Sequence, residues 1–294
     1  MSDYRAPLTE LLFCIRHHAG RDEELDLAQS ILEECGKFGA TVLDPMNGAG
    51  DRIGASWQDG GVTTAPGFKE AFRDFTAGGW MGLQHPIEFG GQGLAKPVAA
   101  ACIEIINSAN TSFSLCPLLS DGAIEALLTA GSAALKAAWL PPMVAGRWAG
   151  TMNLTEPQAG SDLSLVRTRA EPASDGTYRI FGTKIFITYG DHDLTENIVH
   201  LVLARTPGAP EGVKGISLFV VPKFLTQADG TLGARNDVYC ASIEHKLGIH
   251  AAPTAVLQYG NDGGAIGYLV GEENRGLEYM FVMMNAARDR KSTL

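Results

Sequence analysis

The feature that most constrains the fold is a change of hydrophobic period near Gly146. Before this residue, apolar side chains recur three or four positions apart, as in the set Leu8, Leu11, Leu12 and Ile15. After it, short runs of β-branched and aromatic residues are separated by Gly, Asp and Pro turns, which is typical of strands. The sequence therefore predicts an α+β chain, with helices first and strands second.

In the first half, helical spacing predicts helices over residues 8–15, 25–35, 67–77, 98–110, 121–130 and 132–140. We interpret Gly36 as a helix stop, because glycine commonly ends helices. The stretches 44–66 and 78–97 are rich in Gly, Asp and Pro, and both are predicted to be loops.

The strand-like part predicts eight segments, at residues 151–154, 178–181, 185–187, 198–204, 216–221, 238–243, 254–259 and 266–270. Closely spaced strands of this kind favour an antiparallel barrel or sandwich. No helical pattern lies between them, which argues against a doubly wound parallel sheet. A helical pattern returns at 277–288.

Length and pattern together predict the domain organisation. The chain has 294 residues, and domains average roughly 150 residues. We expect a helical domain at residues 1–147, a β-barrel domain at 148–270, and a stub of a C-terminal helical bundle at 271–294.

Composition narrows the function classes. The formal net charge is −10 and the Lys and Arg residues are scattered singly, so a nucleic-acid binder is not expected. The five cysteines show no paired spacing, which indicates reduced thiols in a reducing compartment. No secretory signal is visible, and the apolar stretches are shorter than the ~20 residues of a membrane span. A cytoplasmic protein without a membrane span is expected.

The segment with most chemical information is residues 152–162, Met-Asn-Leu-Thr-Glu-Pro-Gln-Ala-Gly-Ser-Asp. A predicted strand runs into a turn in which Ala159 and Gly160 leave the backbone bare. Such a turn lets backbone N–H groups approach a flat ring or a phosphate. An ordinary Pro-Gly turn is the alternative reading of its residue types.

The string at residues 155–162 resembles the flavin-binding signature of the acyl-CoA dehydrogenase family. Residues 182–188, Gly-Thr-Lys-Ile-Phe-Ile-Thr, resemble that family's Gly-x-Lys-x-Trp-Ile-Thr strand, with Phe186 in place of the commoner Trp. Further resemblances follow in family order: Gly-Gly-Gln-Gly at 90–93, Glu-His-Lys-Leu-Gly-Ile-His at 244–250 and the passage at 270–277. Residues 4–8 resemble the N-terminal extension of a subgroup that includes methylmercaptopropionyl-CoA dehydrogenases.

This resemblance implies FAD as cofactor and α,β-dehydrogenation of an acyl-CoA thioester, with hydride transfer to flavin N5. Phe186 would cover one face of the isoalloxazine, Thr188 would bond N5, and the Thr155 backbone and hydroxyl would face the pyrimidine edge. Ser161 would contact the pyrophosphate and, with Arg288, the substrate. The full set of implied cofactor contacts is Met152, Leu154, Thr155, Gly160, Ser161, Phe186, Ile187 and Thr188.

The resemblance also implies that the catalytic base is missing from this chain. In most members the Glu lies in the C-terminal helical domain, and in a minority it precedes the Arg that matches Arg288, where this chain has Ala287. We therefore expect a C-terminally truncated chain, assign no catalytic residue and expect it to be inactive alone. His245 and His250 have no third ligand nearby in sequence, so no metal site is assigned.

Two accounts of function remain open. The first is an acyl-CoA dehydrogenase whose electron acceptor is an electron-transferring flavoprotein. The alternative is a non-catalytic flavin- or CoA-binding fragment, or one subunit of a heteromeric enzyme. Family members are homo-oligomers, and assembly of this chain is expected to be impaired.

Overall fold

The computed structural model describes residues 4–17, 19, 25–227 and 229–292, with side chains described as far as residue 288. Its helices are α1 (Leu8–His17), α2 (Leu25–Phe38), α3 (Asp44–Ile53), α4 (Phe68–Ala77), α5 (Lys96–Ala109), α6 (Thr111–Ala130), α7 (Ala133–Val144) and α8 (Gly276–Ser292). Its strands are β1 (Ser56–Gln58), β2 (Gly61–Thr63), β3 (Trp148–Asn153), β4 (Arg169–Pro172), β5 (Tyr178–Thr188), β6 (Asn197–Ala204), β7 (Ser217–Pro222), β8 (Phe224–Thr226), β9 (Leu232–Arg235), β10 (Val238–Ile243), β11 (Thr254–Tyr259) and β12 (Ala265–Val270).

The helical region is organised around an aromatic core. The rings of Phe68, Phe72 and Phe75 each lie 5.9–6.1 Å from the ring of Phe113, measured between centroids. Phe113 is held near the start of α6, where its N–H donates to the capping side chain of Asn110 at 3.0 Å. Aromatic packing and a capped helix therefore join α4 to α6.

Helix α6 is longer than the sequence predicted. It continues through Pro117 over 20 residues, and by length and apolar composition it is sufficient to cross a membrane. However, 78% of its apolar window is buried inside the fold, as in the core helix of a soluble protein. The expectation that every apolar stretch is too short was thus wrong for this helix.

Two expectations about glycines were also wrong. Gly36 does not stop α2, and the predicted loop at 44–66 contains α3 and the β1–β2 hairpin. A Cβ at Gly36 would lie 3.0 Å from the Ala6 Cβ, and one at Gly50 in α3 would lie 2.8 Å from the Phe68 ring. At both glycines another part of the chain therefore packs closely against the helix, and neither residue makes a turn.

The strands form the expected barrel, which is mostly antiparallel. The main sheet has the order β10-β11-β5-β12-β7-β6-β3, with β4 also paired to β5. The Ala170 N–H donates to the Arg205 carbonyl at 2.8 Å and the Arg205 N–H to the Thr168 carbonyl at 2.9 Å, so the end of β6 meets β4 and closes the ring. Strands β3 and β6 run parallel, which the antiparallel prediction did not include.

Helix α8 brings the chain back against both regions. A Cβ at Gly122 of α6 would lie 3.0 Å from Met283 of α8, so the two helices are in close contact. At its start, the Gly276 N–H donates to the Ile216 carbonyl at 2.8 Å, next to β7. Met280 is fully buried. The C-terminal helix is thus packed on the helical region and on the barrel.

Candidate functional site

An open cavity of about 570 Å³ lies between the turn after β3, the end of β5 and one face of α8. It collects most of the residues that the resemblance implied, from both segments. Those residues are Met152, Leu154, Thr155, Gly160, Ser161, Phe186, Ile187 and Arg288. Thr188 is not among the lining residues, although it directly follows Ile187. The remaining lining residues were not assigned to the site from the sequence: Asp162, Leu163, Val213, Leu277, Phe281 and Met284.

A β-bulge directs Phe186 into this cavity. Leu257 pairs with Lys184 and Ala255 pairs with Ile187, so two residues of β5 lie opposite one residue of β11. Phe186 takes the left-handed conformation, with φ of 60°, and its side chain is 57% exposed. The extra residue reverses the inward and outward alternation, because Lys184 and Ile187 are both buried. The aromatic ring therefore faces outward, toward the cavity.

Three hydrogen bonds join the two cavity-lining segments. The Ile185 N–H donates to the Thr155 carbonyl at 2.9 Å. The Lys184 ammonium donates to the Leu154 carbonyl at 2.9 Å and to the Glu156 carboxylate at 2.8 Å. Sequence reasoning placed Lys184 and Glu156 in the motifs but did not foresee that they form a buried ion pair.

The Glu156 carboxylate organises the turn from inside. One oxygen accepts from the Thr168 N–H at 3.0 Å and from its hydroxyl at 2.5 Å, and the other accepts from the Arg167 N–H at 2.8 Å and the Gln158 amide at 2.5 Å. Burial alone would raise the pKa of Glu156, but the Lys184 ammonium and these hydrogen bonds lower it to about 2. The carboxylate is therefore ionised at neutral pH.

Burial acts on Lys184 in the opposite sense. The side chain has no exposed surface, and burial lowers its pKa to about 8, although Glu156 opposes the shift. At neutral pH the pair is thus a charged, hydrogen-bonded unit beneath the cavity wall.

Arg205 holds together two loops that carry cavity-lining residues. Its guanidinium donates to the Val166 carbonyl at 2.7 Å and the Ser164 carbonyl at 2.8 Å, which lie in the turn after Asp162. It also donates to the Pro210 carbonyl at 3.2 Å, in the loop that leads to Val213. One side chain therefore holds together the loop that follows Asp162 and the loop that leads to Val213.

Among the described residues that line this cavity, Asp162 is the one with a carboxylate side chain. Its oxygen accepts from the Ser164 N–H at 2.9 Å, and hydrogen bonds from Ser164 lower the pKa of Asp162. A carboxylate with a lowered pKa is a weaker base, so Asp162 is poorly suited to remove a carbon-bound proton. Ala287 is 5% exposed and is not a lining residue, whereas the adjacent Arg288 lines the cavity.

The histidine pair lies in a different cavity, between α3 and the β10–β11 loop, together with Glu244. The rings of His245 and His250 are 5.5 Å apart. The His250 ring contacts the carbonyls of Lys246 at 2.7 Å and Asp51 at 3.1 Å. Among the residues that the structure describes, no three His, Cys, Asp or Glu side chains lie close enough together to hold a metal ion. Among the described cysteines, Cys14 is exposed and the other four are buried free thiols.

Comparison with known proteins places this fold. The family models for the acyl-CoA dehydrogenase N-terminal domain and middle domain match residues 54–147 and 151–261. The 3-methylmercaptopropionyl-CoA dehydrogenase of Ruegeria pomeroyi is 55% identical over 97% of this chain. The chain spans 50% of the length of that relative.

Two solved structures share the fold. Caenorhabditis elegans ACDH-11, in complex with C11-CoA, superposes with a TM-score of 0.79 at 20% identity, covering 98% of this chain and 50% of that one. The acyl-CoA dehydrogenase of Bacillus anthracis, complexed with FAD, gives a TM-score of 0.72 at 23% identity, covering 90% and 41%.

The helical region, the closed barrel and the open cavity beside α8 together form the fold that these two matched domains describe. The chain belongs to the acyl-CoA dehydrogenase family.

Proposed function

We propose that the cavity binds the isoalloxazine half of FAD, and that the chain is part of an FAD-dependent acyl-CoA dehydrogenase. The observation that carries the proposal is the convergence of Thr155, Ser161 and Phe186 on one open cavity. The cavity also fits a flat ring chemically: an outward aromatic side chain offers a stacking face, and a hydroxyl-bearing turn offers polar contacts opposite it.

We assign the following roles to the lining residues. Phe186 stacks on the ring system, and Met152, Leu154 and Ile187 supply apolar contacts. Thr155 faces the pyrimidine edge. Gly160 leaves room for close approach of the backbone, and Ser161 bonds the pyrophosphate. Thr188, which ends β5 one residue beyond the lining residue Ile187, is assigned to flavin N5.

The proposed substrate is an acyl-CoA thioester. The relative from Ruegeria pomeroyi is named for 3-methylmercaptopropionyl-CoA, and the structure from Caenorhabditis elegans is a complex with C11-CoA. Bound FAD would supply a hydride acceptor. Ser161 and Arg288 would orient the thioester, since both lie on the same cavity, one on the turn and one on α8.

Proton removal from the α-carbon needs a base that the described cavity residues do not supply well. Asp162 has a lowered pKa, Glu156 lies beneath the wall in an ion pair, and Glu244 lines another cavity. General base catalysis typically contributes about 10²–10⁴-fold. We therefore expect very low turnover from this chain alone.

The alternative is a flavin- or CoA-binding fragment, or one subunit of a heteromeric enzyme. It is favoured by the same observation, the absence of a suitable base from the described cavity residues. We further propose domain limits at residues 147 and 270, a cytoplasmic location and an electron-transferring flavoprotein as acceptor of the reducing equivalents.

Binding is tested by titrating the chain with FAD and with riboflavin, following flavin fluorescence. We expect Phe186→Ala to weaken the binding of both flavins by about tenfold, because stacking on an aromatic face is lost. Leu165→Ala is the matched control, since Leu165 is exposed and does not line the cavity. Equal affinities in the two variants would contradict the assignment.

Activity is tested with excess FAD, an artificial electron acceptor and a panel of acyl-CoAs. Turnover close to that of a full-length relative would contradict the expectation that the chain lacks a suitable catalytic base. Turnover that appears only after a second polypeptide is added would support the heteromeric alternative. Binding of FAD and acyl-CoA without turnover under either condition would favour the non-catalytic fragment.

A further inference from the structure

We propose that the buried Lys184–Glu156 ion pair positions the two walls of the cavity relative to each other and so shapes its stacking face. The inference rests on the proposed flavin site, because it gives these two residues a role in flavin affinity. Neither residue lines the cavity, so both would act through the segments they hold.

The geometry is that of a clamp between two pieces of chain. Lys184 is two residues before Phe186 on β5, and Glu156 directly follows Thr155 on the turn. The Lys184 ammonium bonds the Leu154 carbonyl as well as the Glu156 carboxylate, so it grips the turn through both backbone and side chain. The wall residues Leu154, Thr155 and Phe186 are therefore within two positions of the pair.

The bulge leaves the backbone beside Phe186 with fewer ladder hydrogen bonds, so other contacts must hold it in place. Two residues of β5 lie opposite one residue of β11, so the regular ladder is interrupted beside Phe186. Phe186 also holds a left-handed backbone, which is unfavourable for a residue with a Cβ. Such a conformation persists only where the surroundings determine it, and the contacts next to it are the Ile185–Thr155 bond and the Lys184 bonds.

The other side of the clamp extends to the end of the loop that follows Asp162. Glu156 also accepts from the N–H groups of Arg167 and Thr168, which follow the 162–166 turn. Its carboxylate therefore connects the start of the cavity-lining turn, at Thr155, to the end of the segment that carries Ser161. Loss of its charge would loosen both flanks of that segment together.

A second buried pair offers a matched control. Lys223 and Asp191 are 2.5 Å apart in the same barrel, with 16% and 4% of their side chains exposed, and neither lines the cavity. If the barrel merely needs its buried ion pairs for stability, loss of either pair should affect flavin binding equally. If the Lys184–Glu156 pair positions the cavity walls, its loss should weaken flavin binding more than loss of the Lys223–Asp191 pair.

The test compares Lys184→Met, the double variant Glu156→Gln with Lys184→Met, and the control double variant Asp191→Asn with Lys223→Met. Both partners are replaced together because removing one partner leaves the other charge buried and can unfold the barrel. For each variant, riboflavin and FAD affinities are measured by fluorescence titration, thermal unfolding is recorded, and amide hydrogen exchange is followed at Ile185 and Thr168.

We expect the double variant to bind both flavins at least about tenfold more weakly than the control variant at similar thermal stability. Exchange at Ile185 and Thr168 should accelerate by at least about tenfold in the double variant and remain unchanged in the control. Equal losses of flavin affinity in the two variants, or unchanged exchange at both amides, would overturn the inference.

Failure of the proposed function is distinguishable from failure of this inference. If the unaltered chain binds neither riboflavin nor FAD, the proposed flavin site is contradicted. Exchange at Ile185 and Thr168 then decides alone whether the ion pair holds the two walls together.

Discussion

The helical region and the barrel are stabilised in different ways. The helical region is held mainly by apolar packing, with the rings of Phe68, Phe72 and Phe75 each in contact with the ring of Phe113. The barrel buries charge: Lys184 is fully buried with its partner Glu156. Apolar packing tolerates small shifts, whereas a charge-assisted hydrogen bond fixes the position of both partners. The difference teaches that one fully buried ion pair, despite the cost of burying both charges, lies directly beside segments that line the cavity.

The largest expected effect is on the barrel side. Lys184→Met leaves the Glu156 carboxylate buried without its cation, so we expect a loss of about 3–5 kcal/mol in the free energy of unfolding. Chemical denaturation measures it. Adding Glu156→Gln should recover part of the loss, because no charge is then left uncompensated; a double variant as unstable as the single one would show that charge burial is not the cause.

On the helical side, we expect Leu32→Ala in α2 to lose about 2–5 kcal/mol, because Leu32 is fully buried and its truncation leaves a cavity. Flavin affinity should not change. Leu27→Ala on the same helix is the control, since Leu27 is 56% exposed and should shift stability by less than about 0.5 kcal/mol. Weaker flavin binding by the Leu32 variant would remove the distinction between the two regions.

Acid should affect the barrel through two buried histidines. Burial, with the nearby Lys223 charge, lowers the pKa of His192 and of His200 to about 3. The unfolded chain binds their protons near pH 6.5, so it holds more protons than the folded chain between pH 6.5 and 3. Stability should therefore fall as pH falls through that window.

Glu156 adds a second loss at lower pH. Its folded pKa is about 2, so its contribution is present above pH 4.5 and is lost as pH falls toward 2. Unfolding measured from pH 7 to 4 tests the histidines. His200→Asn should reduce the slope relative to that of the unaltered chain, and an unchanged slope would contradict the assignment.

The smallest expected change in stability is at Phe186. Its left-handed backbone strains a residue with a Cβ, so Phe186→Gly should relieve about 1 kcal/mol while removing the stacking face. Phe186→Ala removes the ring but keeps the Cβ, and separates the two effects. For the glycine variant, we expect thermal unfolding to show a gain in stability of about 1 kcal/mol and flavin titration to show a loss of affinity.

The sequence predicted the order of helices and strands because hydrophobic period records which faces are buried. It divided β5 into two strands, because Gly, Thr and Lys at residues 182–184 interrupt the apolar pattern within a continuous strand. It also did not predict the bulge at Ile185 and Phe186, which no residue type indicates. It missed β4, β8 and β9, because strands of three or four residues are too short to show an alternating pattern. Gly36 and Gly50 were misread because sequence does not show which glycines face another element.

The candidate site was only partly predictable. Motif residues such as Thr155 and Phe186 were identified by resemblance, and the structure brings them to one cavity. Phe281 and Met284 of α8 were missed as lining residues, because their place depends on how that helix packs across the barrel. The ion pair of Lys184 and Glu156 was missed because its partners are 28 positions apart.

The central claim is that the cavity between the 154–162 turn and the β5 bulge holds a flavin ring. A crystal structure of the chain soaked with FAD tests it most directly. We predict ring density against the Phe186 side chain and the Thr155 backbone, with the Lys184–Glu156 pair intact beneath them. Flavin density in the cavity that contains Asp51 and His245, with none beside Phe186, would contradict the account.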